Sequence, residues 1–236
     1  MVEAFFFVGG CRPSTMLAAV LSNLLGSESL LMIKSLSGEK PALIVNECQL
    51  GLLDPALAIF PALANAAQER ELIPRIARLI AAFRNRGYPV FYTPAVLRKD
   101  LADKKVNSLI SAISRKTANM IEGRTDVDHP AEIAPTESDY VIQRGAGLIA
   151  FHGSPLDLTL RRLGVETVVL TGISTNVAIP GLTIAAVEFG YHVVIPEDCI
   201  AGADPDAHRI IVEHQLRMLA TITTSDEVIS ALEAAL

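Results

Sequence analysis

Three stations in this sequence fall where β-type apolar runs end, and each carries a group able to act on a substrate. Glu47 closes PALIVNE at 41 to 47, Arg144 closes DYVIQR at 139 to 144, and a Gly/Ser/Thr/Asn turn follows ETVVLTG at 166 to 172. A carboxyl group at the end of a buried strand is a candidate acid or base, because a dry setting lifts its pKa. Arginine can hold an anion through a planar, two-pronged contact. The third station, TGISTNVAIPGLTIAAVEFGY (171 to 191), passes from strand into turn into apolar helix. Such a junction presents backbone N–H groups to a bound oxygen.

The elements that must position these groups alternate between strand and helix. After PALIVNE, the segment ELIPRIARLIAAFRNRG (71 to 87) sets Ile73, Ile76, Ile80 and Phe83 on one helical stripe and stops at Gly87. PVFYTPA (89 to 95) is a second strand and DYVIQR a third. Between them, residues 96 to 137 are polar with weak periodicity, which predicts a surface helix around KKVNSLISAI and a long connection after Arg124. A helix over 154 to 164 opens at Ser154 and ends at Gly164, ETVVLTG is the fourth strand, and a helix with an early Pro180 covers 176 to 190. YHVVIPEDC (191 to 199) is the fifth strand, a helix runs from Pro205 to about Met218, and TITTS is the sixth strand, ahead of a closing helix that Ser225 can cap.

Six strands with intervening helices predict an α/β domain: a single doubly wound, mostly parallel sheet with helices on both faces. Ligands of such sheets lie at the carboxyl ends of the central strands, near a topological switch point. The same ends carry Glu47, Arg144 and residues 172 to 178.

Bulk composition narrows the function. At 236 residues and 50% hydrophobic, the chain can bury one full core, and a net charge of −6 provides no basic face for nucleic acid. A small-molecule substrate is expected. Cys11, Cys48 and Cys199 form no CxxC or Cys/His spacing, which fits a reducing, cytoplasmic setting without a disulfide framework or zinc site. The domain is expected over 40 to 236, preceded by an extension at 1 to 39. The apolar runs FFFV and MLAAVLSNLL in that extension are too short to span a bilayer, and Glu3 and a lone Arg12 do not make a secretory leader. A targeting segment, an arm that assembles a homodimer or larger homo-oligomer, and a poorly ordered extension are the three readings.

ALIVNECQ (42 to 49), VIQRGAGLIAFHGSPLD (141 to 157), TGISTNVA (171 to 178) and GYHVVIPEDCIAG (190 to 202) together resemble the isochorismatase-like hydrolase superfamily. The resemblance covers roughly residues 40 to 225 and implies a Rossmann-like three-layer sandwich. In the family's amidase branch a Cys attacks, an Asp takes its proton, a Lys favours the charged forms, and backbone N–H groups hold the oxyanion. This chain resembles that set with Ala178 at the Cys position, Glu47 at the Asp position and Arg144 at the Lys position. The isochorismatase branch implies an alternative that needs no nucleophile, in which an acid protonates a vinyl ether and water completes release. By the same resemblance, the peptide between Ile173 and Ser174 is a cis bond that joins the Ala178 N–H in an oxyanion hole. TPAVLRKD (93 to 100) lacks the His of the family's metal set, so neither a metal nor a cofactor is expected.

The implied site therefore holds Glu47 and Arg144 as catalytic groups, with Ile173, Ser174, Asn176, Ala178, Tyr92, Phe151 and His152 around the substrate. Each also has a plainer reading. Glu47 can cap the next turn, Arg144 can be an ion-pair partner, and Asn176 can cap the helix that follows it. His152 can be polar surface, Tyr92 and Phe151 ordinary core, and Asp198 a turn stabiliser. The function expected is hydrolysis of a small carbonyl- or carboxylate-bearing metabolite by acid/base chemistry; the alternative is an inactive binding or assembly protein on the same fold.

Overall fold

In the computed structural model, strand β1 (Pro41–Asn46) is buried at every position, as an unbroken apolar run covered on both faces must be. Residue 36, residues 40–145 and residues 147–234 are described; the extension at 1 to 39 lies outside them apart from Leu36, which is buried in the core. Strand β1 pairs in parallel with β2 (Val90–Thr93) on one side and β4 (Thr167–Ile173) on the other. Beyond them lie β3 (Tyr140–Val141), β5 (His192–Pro196) and β7 (Thr221–Thr223), giving the order β3-β2-β1-β4-β5-β7. These are the six strands expected from the sequence. A two-residue seventh, β6 (Ile200–Ala201), pairs with β4 and corrects the count. The order reverses between β1 and β4, so the switch-point crevice opens beside their carboxyl ends.

Eight α-helices are described: α1 (Leu50–Leu53), α2 (Pro61–Glu69), α3 (Leu72–Asn85), α4 (Leu109–Thr117), α5 (Leu156–Arg162), α6 (Ala178–Glu188), α7 (Pro205–His214) and α8 (Ser225–Glu233). Strand alternation sends Leu43 and Val45 into one core with Ile76 and Phe83 of α3 and Leu232 of α8. Ala42 and Ile44 enter the opposite core with Leu160 of α5, Leu182 of α6 and Val212 of α7. The result is helices on both faces of one sheet. No helix among the described residues is long and apolar enough to cross a membrane.

Two expected caps are different in the structure. Thr224, not Ser225, caps α8, through a capping box in which its hydroxyl accepts from the Glu227 N–H while Glu227 reaches back to the Thr224 N–H. Ser225 is instead bound by Asp198, which accepts from its N–H at 2.8 Å and from its hydroxyl at 2.5 Å, and also pairs with Arg75. Asn176 does not cap α6; that helix starts two residues later, and its cap position, Val177, has no side chain able to bond.

Candidate functional site

Glu47 stands at the residue where the chain leaves β1, with a φ of +50°. A side-chain-bearing residue in the left-handed region costs about 1–3 kcal/mol and persists only where packing over-determines it. Its neighbours supply that packing. Cys48 and Gln49 are fully buried; the Gln49 amide accepts from the Ala95 N–H at 2.8 Å and donates to the Ala95 carbonyl at 2.9 Å and the Val127 carbonyl at 3.1 Å. Asn46, also fully buried, donates to the Ile173 carbonyl at 2.5 Å and accepts from the Thr93 hydroxyl at 2.9 Å. Asn46 and Gln49 thus tie the ends of β1, β2 and β4 together around Glu47. Neither was singled out from the sequence, although an Asn closing an apolar strand and a Gln just beyond it were visible signals.

Arg144 arrives from the segment after β3, where its backbone continues the sheet through bonds to Pro94 and Val96. Its guanidinium is buried. Nη2 donates to Glu47 Oε1, Nη1 donates to the Gly147 carbonyl at 2.9 Å, and Nε is buried without a partner among the described residues. The two-pronged grip on a substrate expected of Arg144 is therefore taken up within the protein, chiefly by Glu47. Burial pushes the Glu47 carboxyl above its ordinary value, and Arg144 pulls against that rise through its charge and its hydrogen bond. Burial prevails.

The pair lies on a cavity of about 400 Å³. Its lining includes the apolar Phe60, Leu97, Ile110 and Met120 and the polar Lys104, Asn107, Ser108 and Asn119. A concave, mostly apolar space with a few convergent polar groups is the usual form of a small-molecule site.

The turn after β4 sits across the switch point. The Ile173–Ser174 peptide is cis, as the resemblance implied. Asn46 is paired with Gly172, so Ile173 neighbours Glu47 across the two strands. Ala178 is buried and is the first residue of α6, where no intrahelical carbonyl can take its N–H. Behind the turn, the buried Thr175 hydroxyl meets His208 Nδ1 at 2.9 Å, and His208 Nε2 meets Glu197 at 3.3 Å. Neither Ser174 nor Ala178 lines the 400 Å³ cavity.

Four other expected residues lie elsewhere. Tyr92 is fully buried in the sheet core, with its hydroxyl accepting from Arg84 at 3.3 Å and the His129 ring edge-on to it. Phe151 packs in the opposite core against the rings of Phe189 and Tyr191. His152 and Asn176 are exposed, and none of the four lines the cavity. Tyr92 faces the core because both sides of an interior parallel strand are covered. Among the described residues, no group of three or more His, Cys, Asp and Glu is placed to hold a metal ion.

Residues 41–227 match the isochorismatase domain. The chain belongs to the isochorismatase family. YecD of Escherichia coli O157:H7, an isochorismatase family protein, is 31% identical over 84% of this chain and 98% of its own length. N-carbamoylsarcosine amidase of an Arthrobacter species is 26% identical over 69% of this chain and 62% of that enzyme. A cysteine hydrolase from Pseudomonas syringae pv. phaseolicola 1448A has the same fold, with a TM-score of 0.71 at 24% identity over 84% of this chain and 94% of that one. This member thus has the family's mostly parallel α/β sheet, and its relatives include amidases.

Proposed function

We propose that this isochorismatase-family protein hydrolyses a small carbonyl- or carboxylate-bearing metabolite by acid/base chemistry at Glu47, with no covalent enzyme intermediate. The observation carrying the reading is the Glu47–Arg144 pair on the cavity, with burial holding the Glu47 carboxyl above its ordinary value. A carboxyl so poised gives its proton to the substrate; water adds to the activated carbon and returns a proton to Glu47, and the tetrahedral adduct then collapses as its bond to the leaving oxygen or nitrogen breaks, the proton of the added hydroxyl passing to the leaving group, so Glu47 ends as it began. Arg144 acts as the partner that fixes the carboxyl and limits the rise of its pKa.

Among the described residues no thiol is placed to act as nucleophile. Ala178 resembles the family's nucleophile position and has no nucleophilic atom. Cys48 and Cys199 are fully buried, and burial pushes both thiols well above their usual range, away from the reactive thiolate.

A panel of isochorismate, related enol ethers, small amides and cyclic imides tests the reading by mass spectrometry. Products whose summed mass equals substrate plus water are expected, with the intact protein free of adduct during turnover. An adduct on the protein would refute the mechanism. The closed Glu47–Arg144 pair also favours a second reading, a binding protein with no turnover. A ligand that raises the melting temperature, with no product across the panel, would select it.

A further inference from the structure

We propose that Lys104 is the anion-binding residue of the cavity beside Glu47 and selects substrates carrying a single carboxylate on an apolar body. The inference rests on that cavity being the substrate site, and it replaces the expectation that Arg144 grips the substrate. Three cationic side chains line the cavity: Lys104, Lys105 and Arg144. Arg144 is committed to Glu47 and the Gly147 carbonyl. Lys105 is exposed. Lys104 is partly buried, and among the described residues its ammonium makes no hydrogen bond or ion pair.

The position is built into the fold. The Lys104 N–H donates to the Leu101 carbonyl at 3.1 Å within a turn where Leu101 has a φ of +51°, and Arg115 of α4 donates to the Lys104 carbonyl at 3.1 Å. Its charge reaches both members of the catalytic pair: it favours the Glu47 carboxylate, while Arg144 disfavours the Lys104 ammonium. Burial is the largest influence on Lys104 and pushes its pKa down. Asp103 offsets this in part, from outside ion-pair distance.

The commitment of Arg144 then defines the guest. Arg144 is held by Glu47 and the Gly147 carbonyl, which leaves Lys104 as the partly buried cation that a ligand can satisfy. A monoanion restores the balance, whereas a neutral ligand leaves the ammonium desolvated and unpaired. Phe60, Leu97, Ile110 and Met120 provide contact for the ligand's apolar part.

Benzoate and benzamide are suitable probes, being alike in shape and different in charge. Isothermal titration should give benzoate an affinity at least about tenfold higher than benzamide for the parent protein, the size of gain a partly desolvated charge pair supplies. Lys104→Met should erase that preference, Lys104→Arg should keep it, and Lys105→Met should leave it intact. A preference that survives Lys104→Met, or is absent from the parent, would overturn the proposal. Because binding is read without turnover, failure of the hydrolase reading would leave this result standing.

Discussion

Gly172→Ala is expected to yield little folded protein. Gly172 lies in β4 with a φ of +103°, paired with Asn46 of β1. A Cβ built there falls 2.0 Å from the Asn46 carbonyl oxygen and 2.9 Å from its carbon. Both are backbone atoms of the central strand, so no side-chain rotation relieves the overlap. The two strands must part at the pair that joins Glu47 to the Ile173 turn, and the left-handed conformation adds strain of its own. Together these place the loss above about 4 kcal/mol, in the range that single changes seldom reach. Urea denaturation of whatever soluble variant forms provides the check. An unfolding free energy within about 1 kcal/mol of the parent's would mean that β1 and β4 yield far more easily than their burial indicates.

Arg144→Met is expected to destabilise the protein by about 3 kcal/mol near neutral pH, since breaking a buried pair strands the remaining charge. The Arg144 side chain is 4% exposed and that of Glu47 18%. The pH dependence follows from the direction of the Glu47 shift, which is already upward in the parent. Without Arg144 its strongest downward influence is gone, and the folded-state pKa climbs further above the unfolded value of about 4.3. The folded state then binds the proton more tightly than the unfolded state, so stability falls as pH rises and recovers as pH drops through the folded pKa. Urea midpoints at acidic and at slightly alkaline pH should therefore differ more for Arg144→Met than for the parent. An equal deficit at both pH values would mean that lost packing, not the stranded carboxylate, causes the effect.

The sequence carried the sheet because each strand is a short β-branched run bounded by Gly, Pro or charge, and helices such as α3 have a complete apolar stripe. It did not carry α1 and α2. PALANAAQE is rich in alanine, so its inward face, Leu63, Ala64 and Ala67, stands out little from its outward one. Strand β6 is two residues long and exists only because Gly172 and Ile173 offer it an edge.

Glu47 and Arg144 stood out in the sequence because charge at the end of a buried run contradicts ordinary burial, and the structure brings the two together. Tyr92 and Phe151 were misplaced as pocket walls for the converse reason: aromatic type alone does not distinguish a core face from a ligand face. Lys104 gave no signal. It belongs to a polar stretch of weak periodicity, and only the return of that stretch over the end of β1 brings its ammonium near Glu47.

The most direct measurement is product formation by the parent and by Glu47→Gln, on whichever panel compound the parent converts, with circular dichroism confirming that both are folded. Gln keeps the shape and a polar contact for Arg144 but cannot exchange a proton. Loss of a general acid/base costs about 10²–10⁴ in rate, so turnover by the variant should fall by at least about a hundredfold. Turnover equal to the parent's would contradict the assignment of Glu47 as the acid/base group and return the chemistry to some other residue.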